Sequence, residues 1–113
     1  MATSTRETVY LGRDNAIDID LLADGAPVDL SSVTRMILRD SGCVWEVDSI
    51  TSPTAFDWSA GDGRISMALG DEPIPAGAYS CRLIVYDPTN TDGVVWDDLL
   101  RLTVVSLCTV PTP

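Results

Sequence analysis

The stretch Pro75-Ala76-Gly77-Ala78-Tyr79-Ser80-Cys81-Arg82-Leu83-Ile84-Val85-Tyr86-Asp87 decides the fold of this chain. It opens on a turn signal and continues as an unbroken run of β-formers. Tyr79, Cys81, Leu83 and Val85 fall on one face at a period of two, and Ser80, Arg82, Ile84 and Tyr86 fall on the other. The first face is apolar throughout and the second is mixed. That pattern predicts a central strand of a two-layer β fold. Tyr79 follows the Pro-Ala-Gly turn and precedes Cys81 by two residues. Its ring, on the apolar face, is expected to be buried.

Working outward, most flanking segments alternate in the same way. Ala16–Leu22 puts Ile17, Ile19 and Leu21 on one side and Asp18 and Asp20 on the other, a half-buried strand with a wet outer face. Val33–Asp40 turns Met36 and Leu38 inward, with Arg35 and Arg39 flanking Ile37 outside. Ser41-Gly42 reads as a hairpin turn with Gly42 free to take positive φ. Cys43–Ser49 returns with Trp45 and Val47 on one face and Glu46 and Asp48 on the other. Phe56 and Trp58 form a short strand or cover an open end of the core. Arg64–Leu69 is a strand with Ile65, Met67 and Leu69 inward, and the prolines of the following connection forbid a helix. Val94–Val105 is the last strand, with a bulge predicted near Asp97-Asp98, where the apolar phase is interrupted. Thr8–Leu11 is a short first strand. Met1–Glu7 is a loose arm and Ser106–Pro113 a tail. The expected layout is one domain over residues 1–113, with its core at about 8–105. It is all-β, with seven or eight strands and turn signals every ~10 residues, the spacing of a sandwich.

Composition narrows the chemistry. There are 17 acidic residues against 7 basic ones, a net charge of −10, and every basic residue is arginine. Such a surface repels nucleic-acid backbones and anionic membranes, so neither is an expected partner. Histidine and lysine are both absent. That removes the commonest general base, the commonest metal ligand and the Schiff-base nucleophile together. An enzyme built on Asp97 and Asp98 is disfavoured because adjacent strand residues point to opposite faces. No enzyme activity, metal or cofactor is expected. Asp18, Asp20 and Asp24 are better spaced for solvent than for calcium. The Asn90-Thr91-Asp92-Gly93 ending, aligned as a calcium loop, puts Pro88 and Leu99 at ligand positions. Cys43, Cys81 and Cys108 are odd in number and lack a C-x-x-C spacing, so reduced thiols are expected. Met1–Glu7 lacks the apolar stretch of a secretory leader, and folding in a cytoplasm is expected.

Two sets of residues are candidates for binding. Ile84, Tyr86, Leu99, Arg101 and Val105 lie on the strand sides opposite the core and would form a protein interface. Phe56, Trp58 and Trp96 would form an aromatic surface for stacking on sugars or another protein.

The segments "DLLADGAPVDLSSVTRMILRD" (20–40) and "IPAGAYSCRLIVYDPTNTDGVVW" (74–96), with a closing "LLRLTVV" (99–105), resemble small immunoglobulin-like structural proteins of tailed bacteriophages. The layout is similar to the N-terminal domain of phage baseplate upper proteins, over roughly residues 8–105. The Tyr79 spacing is similar to the tyrosine corner of immunoglobulin-like sandwiches, which implies a hydroxyl tied back to the backbone of the Asp71–Ala76 connection. The resemblance implies an immunoglobulin-like antiparallel sandwich and a non-enzymatic virion part, a capsid decoration or head accessory protein or a tail adaptor. It would be assembled in the host cytoplasm and contact capsid or tail subunits or further copies of itself. The alternative is an accessory module that binds carbohydrate or protein. The resemblance carries over no functional residues.

Overall fold

The computed structural model describes residues 5–13, 16–23, 25–58 and 63–106. Ten strands and no helix occur among them: β1 (Thr5–Tyr10), β2 (Ala16–Asp20), β3 (Leu22–Ala23), β4 (Ala26–Pro27), β5 (Arg35–Asp40), β6 (Glu46–Asp48), β7 (Phe56–Trp58), β8 (Arg64–Ala68), β9 (Gly77–Tyr86) and β10 (Val94–Val105). Seven or eight were expected. The excess lies in β3 and β4, a short hairpin of two residues per strand that forms its own small sheet.

The larger sheet, sheet A, has the order β1-β10-β9-β5-β6, and sheet B has the order β2-β8-β7. The deciding stretch does become a central strand. β9 is flanked by β10 and β5, antiparallel to both, with Leu83 opposite Trp96 on one side and Leu38 on the other. Alternation along it dictates the layering. Cys81, Leu83 and Val85 join Met36, Leu38, Leu100 and Leu102 from sheet A and Ile17, Ile19, Ile65 and Met67 from sheet B in one apolar core. Each such side chain contributes about 1.5–3 kcal/mol by leaving water. Two sheets sharing one core in this way are compatible with a β-sandwich.

Three local readings need correcting. β1 begins at Thr5, so Thr5, Arg6 and Glu7 belong to the sheet rather than to a loose arm. They pair in parallel with Leu100, Arg101 and Leu102. The segment shows little apolar alternation because Val9 alone of its described side chains is buried. In the β5–β6 turn the positive φ falls on Cys43 (58°) and not on Gly42. The buried Asp40 carboxylate holds that turn. It accepts the backbone N–H of Gly42 (3.1 Å), Val44 (2.7 Å) and Trp45 (2.9 Å). The Tyr79 ring is half-buried rather than buried.

Other expectations hold. The Tyr79 hydroxyl donates to the Pro75 carbonyl at 2.6 Å. Between Trp96 and Leu100 the register slips, so that four residues of β10 advance over two of β9, which is the predicted bulge. Cys43 and Cys81 are free thiols. Burial, with the nearby Asp40 charge, pushes the Cys81 thiol up to about 12, so it stays protonated and unreactive. Cys108 and Asp24 lie outside the described residues. Among the described residues no helix is long and apolar enough to cross a membrane.

Candidate interaction face

The outer face of sheet A collects what the alternation excludes from the core. Across the sheet, the registers line up three rows. Asp48, Ile37, Ile84 and Val95 form one, Glu46, Arg39 and Arg82 the second, and Ser80, Arg101 and Arg6 the third. Arg35 stands opposite Tyr86, and Tyr10 opposite Val105. Arg6, Arg35, Arg39, Arg82 and Arg101 therefore share one face, five of the seven basic residues of a strongly acidic chain. Among the side chains described on this face, the acidic ones are Glu46 and Asp48, both at the β6 edge. The outer face of sheet B is the opposite in character, with Asp18, Asp20 and Asp57 exposed. There Asp20 accepts from Arg64 at 3.0 Å and Asp18 accepts from Ser66.

The β6 edge of sheet A is fixed by two ion pairs. Arg35 Nε donates to Asp48 Oδ1 at 3.0 Å, and a second Arg35 nitrogen reaches Oδ2 to complete a two-pronged pair. That hydrogen bond from Arg35 holds the Asp48 carboxyl below its ordinary range and raises Arg35 in turn. Arg39 Nε donates to Glu46 at 2.9 Å, which raises Arg39 likewise. The Arg35 guanidinium also lies over the Tyr86 ring, 5.1 Å from its centre. Stacking of a cation on the ring face pins both side chains.

Ile37 and Ile84 sit between these long residues and are buried, at 3% and 8% exposure. Gly93 lies directly against Ile84 and Tyr86. A Cβ there would come within 2.5 Å of Ile84 Cγ2 and 3.1 Å of the Tyr86 ring, and the residue holds φ +88°. The apolar surface left open is therefore Val95 (54% exposed), Tyr10, and Val44 and Ile50 at either end of the β6 edge. Open depressions lie at two places on the face. One, of about 320 Å³, is lined by Arg35, Tyr86, Ile50 and Pro88. The other, of about 290 Å³, is lined by Arg6, Arg101, Ser80 and Thr103.

The sequence-predicted interface residues Ile84, Tyr86, Arg101 and Val105 all fall on this one face, though Ile84 offers little surface. The side chain of Leu99 lies outside the described residues. The aromatic set is not brought together outside. Phe56 is in the core at 5% exposure, and Trp58 and Trp96 are half-buried and pack against that core from the inner sides of their strands. The period-two spacing of Phe56 and Trp58 signals one shared face, and here that face points inward. Sequence reasoning missed the arginine cluster. The outward parity of Arg35, Arg39, Arg82 and Arg101 was legible strand by strand, that of Arg6 was not because it was assigned to a loose arm, and their gathering depends on which strands pair.

Among the described residues no group of three His, Cys, Asp or Glu side chains could hold a metal ion. The 87–93 loop is held by Asp87, whose carboxylate accepts the backbone N–H of Thr89 (2.9 Å) and Asn90 (2.7 Å). Comparison with family models, with curated proteins and with solved structures returned no match for this chain.

Proposed function

We propose that this protein is a non-enzymatic structural module that works by protein–protein contact through the outer face of sheet A. The observation that carries the proposal is the composition of that face. Five arginines, Tyr86 and Tyr10, and the exposed Val95 lie together on a rigid sheet. Arginine and tyrosine are the residues enriched where interfaces concentrate binding energy. The fold reading belongs with it. We read the order β10-β9-β5-β6 against β2-β8-β7 as the G-F-C-C′ and B-E-D layers of an immunoglobulin-like sandwich, with the Tyr79–Pro75 hydrogen bond as its tyrosine corner. Together with the resemblance of segments 20–40, 74–96 and 99–105, this favours a bacteriophage virion part. It would be a capsid decoration or tail adaptor protein that docks on capsid or tail subunits or on its own copies. The burial of Phe56 speaks against the carbohydrate-stacking alternative.

The test is mass spectrometry of purified particles from the source, together with the mass of the isolated protein in solution. The protein is expected in the particles at a fixed copy number. Val95→Glu should fold as the parent does and be lost from them. A monomer that is absent from particles and binds a polysaccharide tightly would overturn the proposal.

A further inference from the structure

β1 is joined to the rest of the molecule unevenly along its length. It is the edge strand of sheet A and pairs with β10 alone among the described strands, in parallel, from Thr5 with Leu100 to Tyr10 with Val105. Val9 is the buried side chain among those described on it, while Arg6, Thr8 and Tyr10 are exposed. Its hold is therefore mainly a ladder of backbone hydrogen bonds along an open edge. Local opening free energies run from near zero up to that of global unfolding, and few buried apolar contacts mark the low end. β9 has the opposite character, paired on both sides, with Cys81, Leu83, Ile84 and Val85 buried. The chain just after β1 is fixed more firmly. The Gly12 N–H donates to the Gly70 carbonyl at 2.8 Å. Gly70 lies so close to the Arg13 backbone that a Cβ on it would come within 2.0 Å of the Arg13 carbonyl oxygen. The chain is thus clamped at Gly12 and Arg13, and β1 precedes the clamp.

We infer that β1 is an exchangeable strand: it lifts from β10 as a unit, and the β1 of a second copy of this chain takes its place in the same register. Lifting β1 bares a row of backbone N–H and C=O groups along residues 100–105, and such an edge is a template for another strand. The occupant that fits it is this chain's own β1, because every residue pair and the buried position of Val9 are restored between two copies. Exchanging an identical element is a low-cost route to a dimer, since it sacrifices no contact. A short connection holds its own strand at a roughly millimolar effective concentration, so exchange competes where copies are crowded together. It does not depend on the outer face of sheet A being an interface.

Hydrogen exchange of the full chain is the first measurement. The ladder amides of β1 should exchange at least about a hundredfold faster than those of β9. The second is the mass of the isolated chain after incubation at roughly millimolar concentration, where a dimer is expected. Thr8 and Thr103 stand opposite one another and are both exposed, which allows a lock. The background carries Cys43→Ser and Cys108→Ser, and Cys81 is buried and unreactive. Thr8→Cys with Thr103→Cys, oxidised in dilute protein, ties β1 to its own β10. The locked chain should stay monomeric, and reduction should restore the dimer. Mixing separate Thr8→Cys and Thr103→Cys chains at high concentration should give a disulfide-linked pair, whereas Thr8→Cys mixed with Asp57→Cys should not. Amides of β1 as protected as those of β9, a chain that stays monomeric, or a dimer that persists in the locked chain would overturn the inference. A persistent dimer that is lost on Val95→Glu would belong instead to the outer face of sheet A, so the two readings fail separately.

Discussion

Tyr79 ties two parts of the molecule together with one side chain. Its hydroxyl reaches back four residues to the Pro75 carbonyl, and its ring meets Trp45 edge-on, with centres 5.3 Å apart and planes at 85°. Tyr79→Phe keeps the ring contact and removes the hydrogen bond. It should cost about 0.5–1.5 kcal/mol in chemical denaturation, the net worth of one such bond. A variant as stable as the parent would mean that this hydrogen bond contributes nothing. This residue was legible in the sequence because the turn, the spacing and the alternation that place it are all local. The Trp45 partner was not, since Trp45 and Tyr79 lie on β-segments far apart in the chain. Cys43 was illegible for a different reason. A glycine next to it suggested where the left-handed residue would fall, whereas three hydrogen bonds to Asp40 set the turn instead.

At the scale of elements, the β9–β10 pair shows how a strand gets its outer surface. The absence of a side chain at Gly93 leaves room for Ile84 and Tyr86, and its φ of +88° suits glycine alone among common residues. Gly93→Ala should cost about 1–3 kcal/mol, since a Cβ overpacks Ile84 and strains the backbone together. Urea denaturation reads the loss, and an unchanged midpoint would show that the loop relaxes freely. The bulge in β10 was predicted from a break in apolar phase, a one-dimensional signal. The pairing of β1 with β10 gave no such signal, because Thr5 to Thr8 are polar and their backbone, not their side chains, joins the sheet. Likewise the faces of Arg82 and Arg101 could be read from their own strands, but the row Arg6–Arg101–Ser80 exists only once three strands, the unforeseen start of β1 among them, are placed side by side.

For the whole molecule, charge is unevenly divided among the described residues: five arginines lie outside sheet A, and Asp18, Asp20 and Asp57 lie outside sheet B. The acidic limb of stability follows from the paired carboxylates. Hydrogen bonding to Arg35 lowers Asp48, and hydrogen bonding to Arg64 lowers Asp20. A carboxyl whose folded value is depressed adds stability that is complete above the unfolded value, about 4, and is lost as pH falls through the folded one. The melting temperature should therefore be flat from about pH 7 to 5 and fall below about pH 4. Asp48→Asn should lower it at neutral pH and flatten the acid limb. A parent and variant with parallel pH profiles would show that the Arg35 pair plays no part. The acidity itself was plain in the composition, but its division between faces was not, because composition carries no position.

The parallel union of β1 and β10 also fixes how the molecule would bear a load. Both strands run the same way through six residue pairs, from Thr5 with Leu100 to Tyr10 with Val105, and the Leu11 N–H extends the ladder to the Val105 carbonyl at 3.0 Å. Residue 5 and residue 105 thus lie at opposite ends of the same ladder. Tension applied through them pulls along the strands and shears every rung at once, where a hairpin pulled at its open end would unzip one rung at a time. Rupture under tension is governed by the unfolding rate rather than by equilibrium stability. This geometry resists a pull between residues 5 and 105 with the whole ladder at once.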